Sequence, residues 1–297
     1  MNDDNSPVTT KNQKIGVLYL VATPIGNLED FSPRAADTLR RVGLVAAEDT
    51  RRTRVLMTRY GISTPTVSLH EHNETRVSEQ LLERLAAGTS IAMVSDAGTP
   101  LINDPGLPLV RAARQFGVPI VPVPGPCAFI AALSASGLPI DRFAYEGFPP
   151  RSSSARRKRF EALRDDPRTL AFYESSHRVR ETVADMRGVF EPERILVIAR
   201  ELTKLHETIV SLPLGGADEV FADPNMLKGE FVLLLEGAKA AGTPEDLTAE
   251  QERILRALLE ECSVKTASAL AARITGAPRE AFYRKALQLS ADREGPP

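Results

Sequence analysis

The chain has 297 residues, 42% of them apolar and 26% charged, and its 37 Lys and Arg nearly balance 39 Asp and Glu. That composition excludes disordered, collagen-like and disulfide-rich classes and gives enough chain for two domains with cores of their own. At a net charge of −2, any nucleic-acid binding must come from local patches and not from bulk charge. Met1–Lys14 is polar and lacks the apolar centre of a signal peptide or anchor, so a disordered tail is expected over 1–14. No apolar run approaches the ~20 residues of a membrane span, and the expected location is the cytoplasm. Cys127 and Cys262 offer neither a disulfide framework nor a cysteine-based zinc site.

From Gly16 onward, β-branched apolar runs alternate with helical patterns. Strands are predicted at Gly16–Ala22, Leu44–Ala47, Thr66–Leu69, Ser90–Ser95 and Pro119–Val123. Helices are predicted between and after them at Pro33–Arg41, Thr50–Tyr60, Thr75–Ala87, Pro105–Gln115 and Pro126–Ala135, the first capped by Ser32 with Pro33 at its first position. This alternation predicts an α/β domain over 15–138 built on a parallel sheet covered on both faces. After Gly137 the pattern changes. Strands at Arg142–Tyr145, Thr169–Tyr173, Arg194–Ala199, Glu207–Ser211 and Glu230–Leu235 partly follow one another without helices, which predicts a second α/β domain over 139–237 with a mixed sheet. A Gly/Ala/Pro-rich linker is expected over 238–247. The segment 248–297 reads as purely helical, with Thr248 and Gln251 forming a capping box and Ser263 capping the next helix. Thr275-Gly276-Ala277-Pro278 is a turn before the last helix, a helix-turn-helix-like extension.

Four Gly/Pro-rich loops fall just after predicted strands: Thr23–Asp30, Asp96–Gly106, Pro124–Pro126 and Gly147–Pro150. In parallel sheets that edge is where ligands bind, and Gly and Pro let main chain approach them closely. Neither a P-loop nor a Gly-x-Gly-x-x-Gly turn is present. The loops therefore suit a ligand gripped by main-chain groups, with acids nearby to favour a positive charge.

These residues carry a resemblance. Leu20–Leu28, Ala47–Arg51, Ser95–Gly106, Val121–Pro126, Phe172–Arg178 and Gly229–Phe231 resemble, in order, the motifs of the small-subunit ribosomal RNA methyltransferase I family, within the tetrapyrrole-methylase-like S-adenosylmethionine enzymes. The similarity runs from about Ile15 to Leu289, with Ser176 standing where the family usually has Pro and Ser152 where a Lys commonly follows Pro-Arg. It implies 2′-O-methylation of a cytidine ribose in the decoding region of 16S ribosomal RNA by a two-domain homodimer acting on RNA or the small subunit. It also implies that S-adenosylmethionine is contacted by Ile25, Gly26, Ser95, Asp96, Ile102, Cys127, Ala128, Tyr173 and Glu174. No metal is expected.

Removing the hydroxyl proton during methyl transfer needs a nearby base. Asp49, ending a strand at the ligand edge, is the first candidate, and helix capping is its competing role; Asp30 is second, with the same alternative. His70, in the polar run His70-Glu71-His72-Asn73-Glu74, is a third, as a contact to RNA or the reacting ribose. For RNA, Arg151–Arg168 holds seven basic residues against three acids, and Ser263–Arg293 six against two. Arg151, Arg156, Arg157, Lys158 and Arg159 are accordingly expected at the RNA, with His177 and Arg178 as phosphate or substrate contacts. Two alternatives stand beside this assignment: a tetrapyrrole substrate for the same chemistry, and a ligand-responsive DNA-binding regulator using the C-terminal helices.

Overall fold

A computed structural model describes residues 15–239 and 247–294. The tail expected over 1–14 and residues 240–246 of the expected linker lie outside the described residues. The first unit comprises β1 (Leu18–Val21), α1 (Pro33–Arg41), β2 (Leu44–Ala47), α2 (Thr50–Arg59), β3 (Thr66–Ser68), α3 (Glu74–Ala86), β4 (Ile91–Val94), α4 (Leu107–Gln115) and β5 (Ile120–Val123). Its five strands are all parallel, in the order β3-β2-β4-β1-β5. Because both sheet faces are covered, β2 and β4 are buried at every position and read as unbroken apolar runs. Alternate residues still separate: Val45, Ala47, Ala92 and Val94 pack under Ala35, Leu39, Leu56 and Met57 of α1 and α2. Leu44, Ala46, Ile91 and Met93 pack under Val77, Leu81, Leu109 and Ala113 of α3 and α4. The chain therefore leaves β4 toward one face and its neighbours β1 and β2 toward the other. That reversal opens a crevice at the carboxyl ends of these strands.

The second unit comprises β6 (Phe143–Gly147), α6 (Ser153–Glu161), β7 (Thr169–Ser175), α7 (Val179–Arg187), β8 (Ile195–Arg200), β9 (Thr208–Pro213) and β10 (Glu230–Leu235). The mixed sheet runs β6-β7-β10-β8-β9, with β6 and β7 parallel and the remaining pairs antiparallel. Helices α6 and α7 were not among the predicted elements, although buried Val179, Val183 and Met186 mark α7 at helical spacing. Between the two sheets runs α5 (Ala128–Ser136), whose Phe129, Ala132 and Leu133 pack on Ala171, Val197, Val232 and Leu234 of the second sheet. By packing, α5 therefore goes with the second unit and not with the first, where the expected boundary at 138 put it. Its run of Ala, Phe, Ile and Leu carries no polar stripe to say which sheet it covers.

The C-terminal segment folds as α8 (Ala249–Glu261), α9 (Val264–Thr275) and α10 (Arg279–Glu294) around Leu255, Ala267, Ala271, Phe282 and Ala286. Thr248 and Gln251 form the predicted capping box, and Gly276 ends α9 at φ 74°. Among the described residues no helix is long and apolar enough to cross a membrane.

Candidate active-site cavity

A cavity of about 440 Å³ lies between the carboxyl ends of the first sheet and the second unit. The first unit contributes Ile25 after β1, Glu48 after β2, Arg52 of α2, and Asp96–Thr99 with Ile102–Asp104 after β4, and the start of α5 adds Cys127 and Ala128. Facing them are Phe148, Tyr173–Ser175, Ala199, Leu202 and Glu230–Val232. Antiparallel β10 begins where β7 and β8 end, which is how its first residues reach the same rim.

The loop after β4 is held from several sides. Thr23 and Gly98 exchange backbone hydrogen bonds of 2.9 and 3.0 Å, and the Thr99 hydroxyl donates to the Pro126 carbonyl at 3.0 Å. At its far end the Gly106 N–H donates to Glu74 Oε2 at 2.8 Å. Gly106 has φ 116°, and a Cβ there would stand 2.5 Å from Met93 Sδ, so glycine is required. Leu101 and Asn103 adopt φ of 72° and 66°, a left-handed conformation costly for side-chain-bearing residues, which these anchors sustain.

The acids form one network. The Asp49 N–H donates to Asp96 Oδ1 at 2.9 Å, the Asp96 N–H donates to Glu48 Oε2 at 3.3 Å, and Arg52 Nη1 lies 3.4 Å from Asp96 Oδ2. Burial pushes the Glu48 carboxyl above its usual range. Burial also raises Asp104 to about 6, and the nearby Glu48 and Asp96 carboxylates act in the same direction. The Tyr145 and Tyr173 phenols are pushed up by burial and stay neutral. Asn103 Nδ2 donates to the Tyr145 hydroxyl at 2.6 Å, and the Phe129 N–H donates to that of Tyr173 at 3.3 Å. Carboxylates on one wall and Ile25, Ile102, Cys127, Ala128 and Leu202 on another make a site for a ligand that is cationic at one end and apolar at the other.

Of the residues expected at the ligand, Ile25, Asp96, Ile102, Cys127, Ala128, Tyr173 and Glu174 border this cavity. The Glu174 side chain is wholly buried: it accepts from the Ser175 N–H at 2.8 Å, Arg178 at 2.9 Å and Thr182 at 2.6 Å, so it meets the cavity through its main chain. Ser95 and Gly26 do not line it. Ser95 is buried beneath the loop and directs its hydroxyl at the Ala97 and Gly98 carbonyls. Gly26 abuts the second unit, where a Cβ would stand 2.5 Å from Lys204 Cγ, and the adjacent Asn27 N–H donates to Thr203 Oγ1 at 3.0 Å. Glu48, Arg52, Asn103, Asp104, Phe148 and Leu202 line the cavity without having been predicted. Glu48, Asn103, Asp104 and Phe148 lie within or beside motifs already singled out, so position after a strand was their available signal.

None of the three expected bases borders this cavity. Asp49 caps α2: it accepts the Arg51 N–H at 2.8 Å and Arg51 Nη2 at 2.7 Å, and Arg51 holds its carboxyl well below the usual range. It is absent from the cavity lining, and so are Asp30, exposed in a 3-10 turn over Leu28–Asp30, and His70. The His70 N–H donates to Asn73 Oδ1 at 2.9 Å, while its ring Nδ1 is buried without a hydrogen-bond partner. The RNA set is also revised. Arg156 is 1% exposed and pairs with Asp185 at 2.6 Å inside the second unit. Arg159 pairs with Glu146, and Arg178 with Glu174 and the Pro149 carbonyl, whereas Arg151, Arg157, Lys158 and His177 face outward. Among the described residues no group of His, Cys, Asp and Glu is arranged to hold a metal ion.

Residues 17–218 match the family described as Tetrapyrrole (Corrin/Porphyrin) Methylases, and residues 245–290 match the RsmI C-terminal HTH domain. The chain is 53% identical over 274 residues to the Pseudomonas aeruginosa protein named ribosomal RNA small subunit methyltransferase I, covering 92% of this chain and 97% of that one. It is 51% identical to the Escherichia coli O157:H7 protein of the same name, covering 92% and 95%. Among solved structures it is similar in fold to the methyltransferase CobJ, with a TM-score of 0.57 at 21% identity over 76% of this chain and 97% of that one. A uroporphyrin-III C-methyltransferase from Thermus thermophilus, complexed with S-adenyl homocysteine, gives 0.51 at 18% identity over 74% and 97%.

Proposed function

The chain belongs to the tetrapyrrole methylase family, in the branch of the small-subunit ribosomal RNA methyltransferases I, and from that premise we propose that it moves a methyl group from S-adenosylmethionine to a cytidine 2′-hydroxyl in the decoding region of 16S ribosomal RNA. The carrying observation is the cavity itself, with Glu48, Asp96 and Asp104 on one wall and small apolar residues on another. When bound, S-adenosylmethionine supplies a methyl group already activated on a positively charged sulfur, so the main task of the chain is positioning. Asp96 and Asp104 would favour its positive charge, and Ile25, Ile102, Cys127, Ala128 and Leu202 would hold its apolar part, with Tyr173 and Glu174 also at the cavity. Asp104 and Glu48 border the cavity and bind protons more tightly than ordinary carboxylates because they are buried, so they are suited to take up the hydroxyl proton, unlike Asp49. The protein works in the cytoplasm, where small subunits are made, and as a homodimer, for which Ile130, Ile140 and Phe143 supply exposed apolar surface on α5, β6 and their connection.

The test is incubation of the purified chain with S-adenosylmethionine and unmodified small subunits or their RNA, followed by nucleoside mass spectrometry. The expected product is 2′-O-methylcytidine. Methylation of an added tetrapyrrole in place of RNA, or no methylated nucleoside from either substrate, overturns the proposal.

A further inference from the structure

We propose that the outward face of α2 is the surface that leads the phosphate backbone of a single-stranded RNA to the cavity; this rests on the proposed methyl transfer to RNA. Helix α2 carries Arg51, Arg52, Arg54 and Arg59 and no acid between Thr50 and Arg59. Thr53, Leu56 and Met57 are buried beneath it, which turns all four arginines outward, with Val55 67% exposed among them. At 100° per residue these positions form one continuous basic arc, and from Arg51 to Arg59 it runs about 12 Å along the axis.

The charges divide into two pairs. At the cavity end Arg51 is balanced by Asp49, and Arg52, which lines the cavity, approaches Asp96. Further along, Arg54 and Arg59 make no hydrogen bond or ion pair among the described residues. The helix thus carries two uncompensated positive charges on a path that ends at the carboxylates where methyl transfer is proposed. A polyanion is the occupant such a face fits, since phosphate contacts dominate the affinity of proteins for nucleic acids. By contrast α6, which lies in the basic segment Arg151–Arg168, buries Arg156, pairs Arg159 with Glu146, and contributes no residue to the cavity.

Titrating a fluorescent single-stranded oligoribonucleotide of small-subunit sequence with the full chain, between 50 and 200 mM salt, tests this assignment. For two phosphate contacts on a single strand, the Arg54→Ala/Arg59→Ala variant lowers the log–log salt slope by about 1.4 and weakens binding about 25-fold at 0.1 M salt. The Arg157→Ala/Lys158→Ala variant of α6 stays within about twofold of wild type. Calorimetric affinity for S-adenosylmethionine is unchanged in the α2 variant, showing an intact cavity. An unaltered slope in the α2 variant, or a larger loss from the α6 variant, overturns the surface while leaving the activity in place. Failure of the wild type to methylate any RNA instead overturns the proposed function.

Discussion

Replacing Arg156 separates a structural cation from an RNA contact. Its guanidinium reaches Asp185 through Nη2 at 2.6 Å and Nε at 2.7 Å, and Nη1 donates to the Pro150 and Arg151 carbonyls at 3.4 and 3.3 Å. Asp185 has one further side-chain partner, the Ser153 hydroxyl at 2.8 Å. Arg156→Ala therefore leaves a largely buried carboxylate without its counter-charge and two carbonyls without a donor. Breaking one side of a buried pair costs about 3–5 kcal/mol. At about 2–4 °C per kcal/mol for a chain of this length unfolding as one, the melting temperature falls by about 6–20 °C. The chain has no tryptophan, so far-UV circular dichroism in urea and on heating is the appropriate readout. Arg156→Leu/Asp185→Leu removes both charges and recovers most of the loss, because an apolar pair does not strand a buried ion. RNA affinity, measured at a temperature where each variant is folded, stays within about twofold of wild type. A stability loss under about 1 kcal/mol, accompanied by a tenfold loss of RNA binding, would refute the buried-pair argument.

Other outcomes follow from the cavity. With Asp104 raised to about 6, the folded state holds this proton between the usual carboxyl range and pH 6. Stability without ligand therefore falls as pH rises through that window, whereas affinity for a cationic methyl donor rises as the carboxylate ionises. Calorimetry is expected to show affinity gaining up to about tenfold from pH 5 to 7 and then levelling, and Asp104→Asn flattens that profile; a flat wild-type profile counts against Asp104. Asp49→Ala removes a cap and costs about 1 kcal/mol in a chemical melt, while the pH profile of methyl transfer keeps its shape. Loss of the acidic limb of that profile would restore Asp49 as the base. Gly26→Val adds side-chain atoms where even a Cβ would stand 2.5 Å from Lys204 Cγ and 3.1 Å from the Leu202 carbonyl oxygen. It is expected to shift the Leu202–Lys204 loop and weaken donor binding at least about tenfold with the circular dichroism spectrum intact, and unchanged affinity would show that this approach is not needed.

Local chemistry made much of the molecule legible in the amino-acid order. Ser32 with Pro33, Thr248 with Gln251, Ser263 and Gly276 act within one helical turn of themselves, and each cap or stop lies where it was read. The apolar runs of β2 and β4 likewise carry their own burial, because a parallel sheet covered on both faces needs no partner to declare itself. The loops after those strands border one cavity, and Asp96, Ile102, Cys127 and Tyr173 line it.

Which member of a motif faces the cavity is decided only in three dimensions. Glu48 and Asp49 are neighbours of similar chemistry, yet one turns into the cavity and the other into a cap with Arg51. Asp104 has its raised affinity for protons because the assembled fold desolvates it. Charge patterning misled for the same reason: Arg156 sits among exposed basic residues in sequence but meets Asp185, 29 positions away, in the interior. The order of residues governs interactions that close within a turn or a strand; burial, counter-charge and direction toward a ligand depend on chain segments that meet only once the two sheets are packed.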